Sequence, residues 1–113
     1  MREALRILLR CATDRFPQRV IRKLDLFPES GMSGWTVAVK TKDGRIFREV
    51  EIGYGFLGIG HFVHIFGDQS WKLPFRLRDV VDVEWEGYRV GNTIERPEPF
   101  REEWRFTPAS SSP

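Results

Sequence analysis

The chain has 113 residues, 41% of them hydrophobic and 30% charged, with a net charge of +2. This is the composition of one globular domain with its own core, not of a disordered chain, and the single cysteine, Cys11, excludes an internal disulfide or a cysteine-rich metal site. No apolar run approaches the roughly 20 residues of a membrane helix, and the N-terminus lacks the apolar stretch of a signal peptide, so a cytoplasmic protein without membrane contact is expected.

The charge is uneven. Residues 1–24 hold seven basic and two acidic side chains, a balance of +5; residues 25–113 hold eleven basic and fourteen acidic, a balance of −3. A positive segment on a mildly acidic body suits an anionic partner, or docking of the segment on its own domain.

Residues 2–13 read as an amphipathic helix. Leu5, Leu8, Leu9 and Ala12 form one apolar stripe, and Arg2, Arg6 and Arg10, four apart, line up beside it. The plain reading is a helix that caps the core with a solvated flank; the sharper one is a row that tracks phosphates. Pro17 interrupts any longer helix. Residues 19–27, RVIRKLDLF, fit either a second helix or a short strand with Leu24 and Leu26 inward, and we carry the strand forward. Pro28 to Gly34 reads as a loop.

Trp35–Thr41 alternates as a strand, with Trp35, Val37 and Val39 on one face. Asp43-Gly44 then predicts a tight hairpin turn whose central residues both take positive φ. Ile46–Ile52 returns as the partner strand, with Ile46, Val50 and Ile52 on one face and Phe47, Glu49 and Glu51 on the other. Gly53, Gly55, Gly58 and Gly60 mark sharp bends or bulges, the means by which a small sheet curls. His61–Phe66 is apolar on both faces, which predicts a central, covered strand. Trp71–Leu77 alternates as a further strand, placed near an edge by Pro74. Val81–Trp85 is the last strand, with Asp82 and Glu84 facing solvent, closed by Glu86-Gly87. Phe100 and Trp104 in the proline-rich tail predict one or two helical turns clamped on the domain, and Ala109–Pro113 reads as disordered.

Short connections make the sheet antiparallel. The predicted fold is mainly β with an N-terminal helix: a small, strongly bent antiparallel SH3- or Sm-like barrel of about five strands with a short C-terminal helical turn. The predicted organisation is a single domain over 1–113, with a basic helical segment (1–24), a barrel core (35–91) and a tail (92–113).

Over residues 37–86 the segments VKTKDGRIFREVEIGYGFL, GHFVHIF and PFRLRDVVDVE resemble the WYL domain, an Sm-like barrel of bacterial transcriptional and phage-defence regulators. His61-Phe62-Val63 stands where that family has Trp-Tyr-Leu. In the later Arg-x-Phe-Arg-Leu-Asp-Arg-Ile segment, Phe75, Arg76 and Leu77 match, while Leu73 and Asp79 replace arginines. The resemblance implies nucleic-acid or nucleotide sensing, and carries it to Arg76 alone. No helix-turn-helix precedes the strands.

Gly53-Tyr54-Gly55-Phe56-Leu57-Gly58 spells G-x-G-x-x-G, but a dinucleotide site needs a helix next and a strand follows. His61 and His64 fall on opposite faces of a strand, so they do not pair on a metal. The carboxylates alternate outward and no serine sits in a nucleophile elbow, so no catalytic residue, metal or cofactor is expected and the chain reads as a non-enzyme. Lys72, Arg76 and Arg78 on one strand face, with Arg45 and Arg48 on the hairpin, are interleaved with Trp71, Phe47 and Tyr54. That pattern suits single-stranded nucleic acid, and an ordinary solvated face balanced by Glu49 and Glu51 is the plainer reading. The expected function is therefore a regulatory, nucleic-acid- or nucleotide-associated binding module contacting its ligand through Arg45, Arg48, Trp71, Lys72, Arg76, Arg78, Arg2, Arg6 and Arg10. The alternative is a protein–protein adaptor, or a module that self-associates, docking through a strand edge and the aromatic tail.

Overall fold

The computed structural model describes residues 2–28, 34–55, 60–70 and 72–108. Two helices, α1 (Arg2–Thr13) and α2 (Gln18–Leu24), precede five antiparallel strands: β1 (Gly34–Thr41), β2 (Ile46–Tyr54), β3 (His61–Ile65), β4 (Val80–Val90) and β5 (Thr93–Glu95). The predicted loop positions 29–33, the middle of the glycine-rich stretch (56–59), Trp71 and the tail from Ala109 lie outside the described residues. No described helix is long and apolar enough to cross a membrane.

The strands form one sheet in the order β3-β2-β1-β4-β5. The fold is thus mainly β with an N-terminal helix, as expected, but the sheet is open: β3 and β5 are its two edges, so pairing does not close the expected barrel. β1, not the apolar His61–Phe66 stretch, is the central strand. Its Thr36 and Ala38 are as buried as Trp35, Val37 and Val39, because β1 has a strand on each side and cover on both faces. β3 instead lies at an edge with only Val63 fully buried. Apolar side chains on both faces of a strand record burial without saying whether a further strand or a helix supplies the cover.

α1 caps the outer edge of β3 with its last turn. The sides of β3 not bonded to β2 would leave carbonyls open to strand addition. The Arg10 guanidinium donates to Val63 O (3.2 Å) and Cys11 Sγ to His61 O (3.2 Å). Gly60 permits this approach: it has φ +63°, and a Cβ there would lie 2.0 Å from Cys11 O, a position only glycine fills. Gly55 N–H donates to Gly60 O (2.9 Å), extending the β2–β3 pairing one step beyond Tyr54 and His61.

Three other expectations are corrected by identifiable causes. Residues 19–27 begin as a helix, not a strand, because Val20 and Leu24, four apart, are both buried against the sheet while Leu26 is exposed. The face assignment of β2 flips midway: Val37 pairs with Val50 but Val39 with Phe47, so β2 carries an extra residue, and Glu49 takes φ 54°. This bulge turns Phe47 onto Phe75 (5.0 Å) and leaves Ile46 exposed. The β1–β2 connection spans Lys42–Arg45, with positive φ at Gly44 but not Asp43, the longer turn-plus-bulge form rather than the two-residue one.

Residues 72–76 form no strand, and Leu77–Asp79 is a 3₁₀ turn. Phe75 and Leu77 are buried as alternation predicts, but the N–H groups of Leu77 (2.8 Å) and Arg78 (3.1 Å) donate to the buried Asp14 carboxylate instead of a ladder. β4 runs through Glu86-Gly87 to Val90 and turns back at Gly91-Asn92 into β5, a two-residue hairpin inside the stretch read as tail. Gly87, at φ +129°, lets β4 lie where a Cβ would meet Glu95 O at 2.5 Å. The tail then returns over the sheet. Trp104 is buried in a 3₁₀ turn, and its ring lies 4.8 Å from Trp85 and 5.2 Å from Phe100. The aromatic tail therefore caps its own core.

Candidate anion-binding cleft

The cations fall into two groups. On the body, nearly every arginine has a carboxylate. The Arg45 Nε lies 2.8 Å from Asp43, Arg48 lies 3.8 Å from Glu86, and Arg78 lies 3.4 Å from Asp14. Arg89, 12% exposed, sits 3.7 Å above the Phe66 ring and reaches Glu49 (3.1 Å) and Glu51 (3.7 Å). Arg96, Arg101 and Arg105 pair with Glu84, Glu103 and Glu102.

The helical segment is different. Arg2, Arg6, Arg15, Arg19 and Arg22 are exposed and make no ion pair among the described residues; outside the segment the exposed Lys72 and Arg76 and the half-buried Lys40 also make none. The cause is in the sequence: residues 1–24 contain only Glu3 and Asp14 as acids, and Asp14 is occupied by the 77–78 backbone.

The expected contact residues are thus dispersed. Arg45, Arg48 and Arg78 are neutralised, and Arg10 is engaged with β3. Lys72 and Arg76 are exposed but on a loop, and Phe47 is half-buried, packed against the core at Phe75. Arg2 and Arg6 remain open to solvent on α1. The expected basic strand face is not assembled.

Three cations that no single stretch of sequence announces do converge. An open cleft of about 470 Å³ runs between α2, the β1–β4 ladder and the tail, lined by Arg19, Val20, Lys23, Lys40, Val81, Asp82, Thr107 and Pro108. Helical spacing puts Lys23 one turn beyond Arg19 and Val20. The ladder sets Lys40 opposite Asp82, and the register slips between Lys40 and Thr41, leaving Val81 as an extra residue on β4 beside the cleft.

Asp82 organises the cleft. Its Oδ1 accepts from Lys23 Nζ (2.7 Å) and the Val83 N–H (2.9 Å), and its Oδ2 from the Thr107 N–H (2.7 Å). Lys23 also donates to Arg105 O (2.7 Å), and the Phe106 N–H donates to Glu84 (3.1 Å). Asp82 and Glu84, expected to face solvent, are therefore covered by the tail they hold. The Lys23–Asp82 pair is largely out of solvent, at 16% and 14% side-chain exposure. With that pair internally balanced, Arg19 and Lys40 leave the cleft a charge of +2.

Other titratable groups are perturbed by burial. Desolvation raises the Glu86 carboxyl, although the Glu49 N–H (2.6 Å) and Arg48 oppose it. It raises the Cys11 thiol, and it lowers His61, packed edge-on against Phe16, and His64, beside Glu51. Among the described residues no cluster of three or more His, Cys, Asp or Glu side chains could hold a metal ion.

Sequence reading missed Arg19, Lys23 and Lys40 because they converge only through the α2–β4 packing. The excess of +5 in residues 1–24 was the one available signal. No protein-family model, curated protein or solved structure matches the chain.

Proposed function

We propose that the chain is a non-enzymatic binding module for single-stranded nucleic acid, and that it binds through its helical segment and the adjoining cleft instead of through a strand face. One observation carries this reading: the arginines without carboxylate partners are concentrated on α1, α2 and their connection, and one of them, Arg19, lines a cleft with one further unpaired cation, Lys40. A cation already neutralised gains little from a phosphate, whereas an unpaired one releases counterions from the strand on contact. The WYL-like pattern points the same way, and Arg76, the residue it carries, is exposed and without an ion pair among the described residues. A regulatory role follows from that resemblance alone.

Fluorescence anisotropy with a labelled single-stranded RNA tests the reading. With three to five phosphates engaged, the slope of log affinity against log salt is about −2 to −3.5. Absence of association at low salt removes the proposal.

A second reading rests on a separate observation. The predicted stripe on α1 is not buried: Leu5, Leu8 and Leu9 are 59%, 46% and 55% exposed. An uncovered amphipathic face favours a protein adaptor, or a self-associating chain, that docks through α1. The aromatic tail no longer supports it, since Trp104 is buried. Light scattering on the native protein and on a Leu5/Leu8/Leu9→Ser variant tests self-association, and a pull-down with the same pair tests for a protein partner. Identical behaviour of the two in both assays removes this reading.

A further inference from the structure

We infer that the cleft between α2, β1, β4 and the tail is a site for a phosphate monoester: the terminal phosphate of a nucleic-acid strand, or the phosphate of a free mononucleotide. The inference rests on the nucleic-acid reading for the first source and is independent of it for the second.

Charge sets the ligand class. Lys23 and Asp82 bind one another and are fixed at both ends, Lys23 by Arg105 O and Asp82 by the Val83 and Thr107 N–H groups. Neither is released without leaving a largely buried charge unpaired. What remains is Arg19 from α2 and Lys40 from β1, two cations that line one cleft from different elements. A phosphate monoester near neutral pH carries a charge between −1.5 and about −2, against one for an internal phosphodiester. The terminal group therefore matches both cations, and an internal phosphate leaves one unbalanced.

Chemistry and size narrow it further. Arg19 offers a planar fork suited to phosphate oxygens and Lys40 a point charge. Val81 and Pro108 add apolar surface beside the charges, a place for the sugar or base attached to the phosphate. The volume of about 470 Å³ falls within the usual range of small-ligand sites and admits a nucleotide. The tail forms one wall, so binding is coupled to the hydrogen bonds that hold Thr107 on Asp82.

Two measurements test this together. The first is anisotropy with two RNA strands of identical sequence, one ending in a phosphate and one in a hydroxyl. The intact protein is expected to prefer the phosphorylated strand about tenfold, the scale of one or two charge-assisted hydrogen bonds. Lys40→Gln and, separately, Arg19→Gln abolish the preference, each lowering affinity for the phosphorylated strand about tenfold more than for the hydroxyl strand. The second is an NMR titration with AMP and with adenosine, expected to move the amides of Val20, Val81 and Thr107 for AMP only. If neither strand binds but AMP moves those amides, the site stands and the strand reading falls. Equal affinity for the two strands together with no AMP response at the cleft overturns the inference, as does a phosphate preference that survives both substitutions.

Discussion

The two helices carry the same kind of charge and meet the sheet in opposite ways. α2 buries Val20 and Leu24 and ties Lys23 to Asp82. α1 buries only Cys11 and is held at its last turn, where Arg10 and Cys11 reach the β3 carbonyls, while Leu5, Leu8 and Leu9 face outward. Both have the spacing of an amphipathic helix. Spacing establishes that a helix has an apolar side; which surface covers that side is a matter of where the chain before and after it goes.

The largest expected effect separates the two helices directly. Leu24, fully buried, mutated to Ala costs about 4 kcal/mol, while Leu8→Ala changes stability by less than about 0.5 kcal/mol. Urea unfolding of both variants measures the contrast, and comparable losses would show that α1 is packed in solution. Next comes the buried pair. Asp82→Ala strands Lys23 and frees the tail, an expected loss of about 2–3 kcal/mol, against less than about 1 kcal/mol for Glu103→Ala at the exposed Arg101 pair. A thermal melt of each, with tail amide exchange followed for Asp82→Ala, distinguishes a structural clamp from a surface contact.

A smaller effect contrasts helix cations with sheet cations. The Arg2/Arg6/Arg22→Gln variant flattens the RNA salt slope by about 2, while Arg45/Arg48/Arg78→Gln changes it by less than about 0.5. The reverse order would restore the strand face as the binding surface. The smallest effect is on pH. His61 and His64 both have values lowered by burial in the folded chain. The unfolded chain then binds more protons, so stability is complete above the ordinary histidine value of about 6.5 and declines as pH falls through the lowered folded values. Melting temperature should drop between about pH 7.5 and 5.5, and the drop should shrink in His61→Gln/His64→Gln.

Much of the local structure was legible. Leu5, Leu8 and Leu9 marked a helix, Asp43-Gly44 marked a hairpin, and Trp35–Thr41 and Ile46–Ile52 marked its strands. Phe100 and Trp104 marked a tail that clamps. Other segments misled for physical reasons. Phe75 and Leu77 alternate as in a strand, yet their burial is achieved by a loop whose N–H groups go to Asp14. The bulge at Glu49 reverses inward and outward for everything before it, and nothing in IFREV announces the extra residue. Gly91-Asn92 was a readable hairpin signal eclipsed by the prolines after it. The cleft was not legible at all, since Arg19, Lys40 and Thr107 are brought together by packing between distant segments.

Residue order alone was enough to locate the antiparallel strands β1 to β4, the leading basic helix and the surplus of positive charge in the first 24 positions, because periodicity, turn chemistry and charge count are local properties. The folded chain was needed to choose β1 as the centre and β3 as the edge, to leave the α1 leucines uncovered, and to decide which cations meet a carboxylate. Those outcomes depend on long-range contacts, in which a residue's partner is set by the competition of every segment for the same sheet surface.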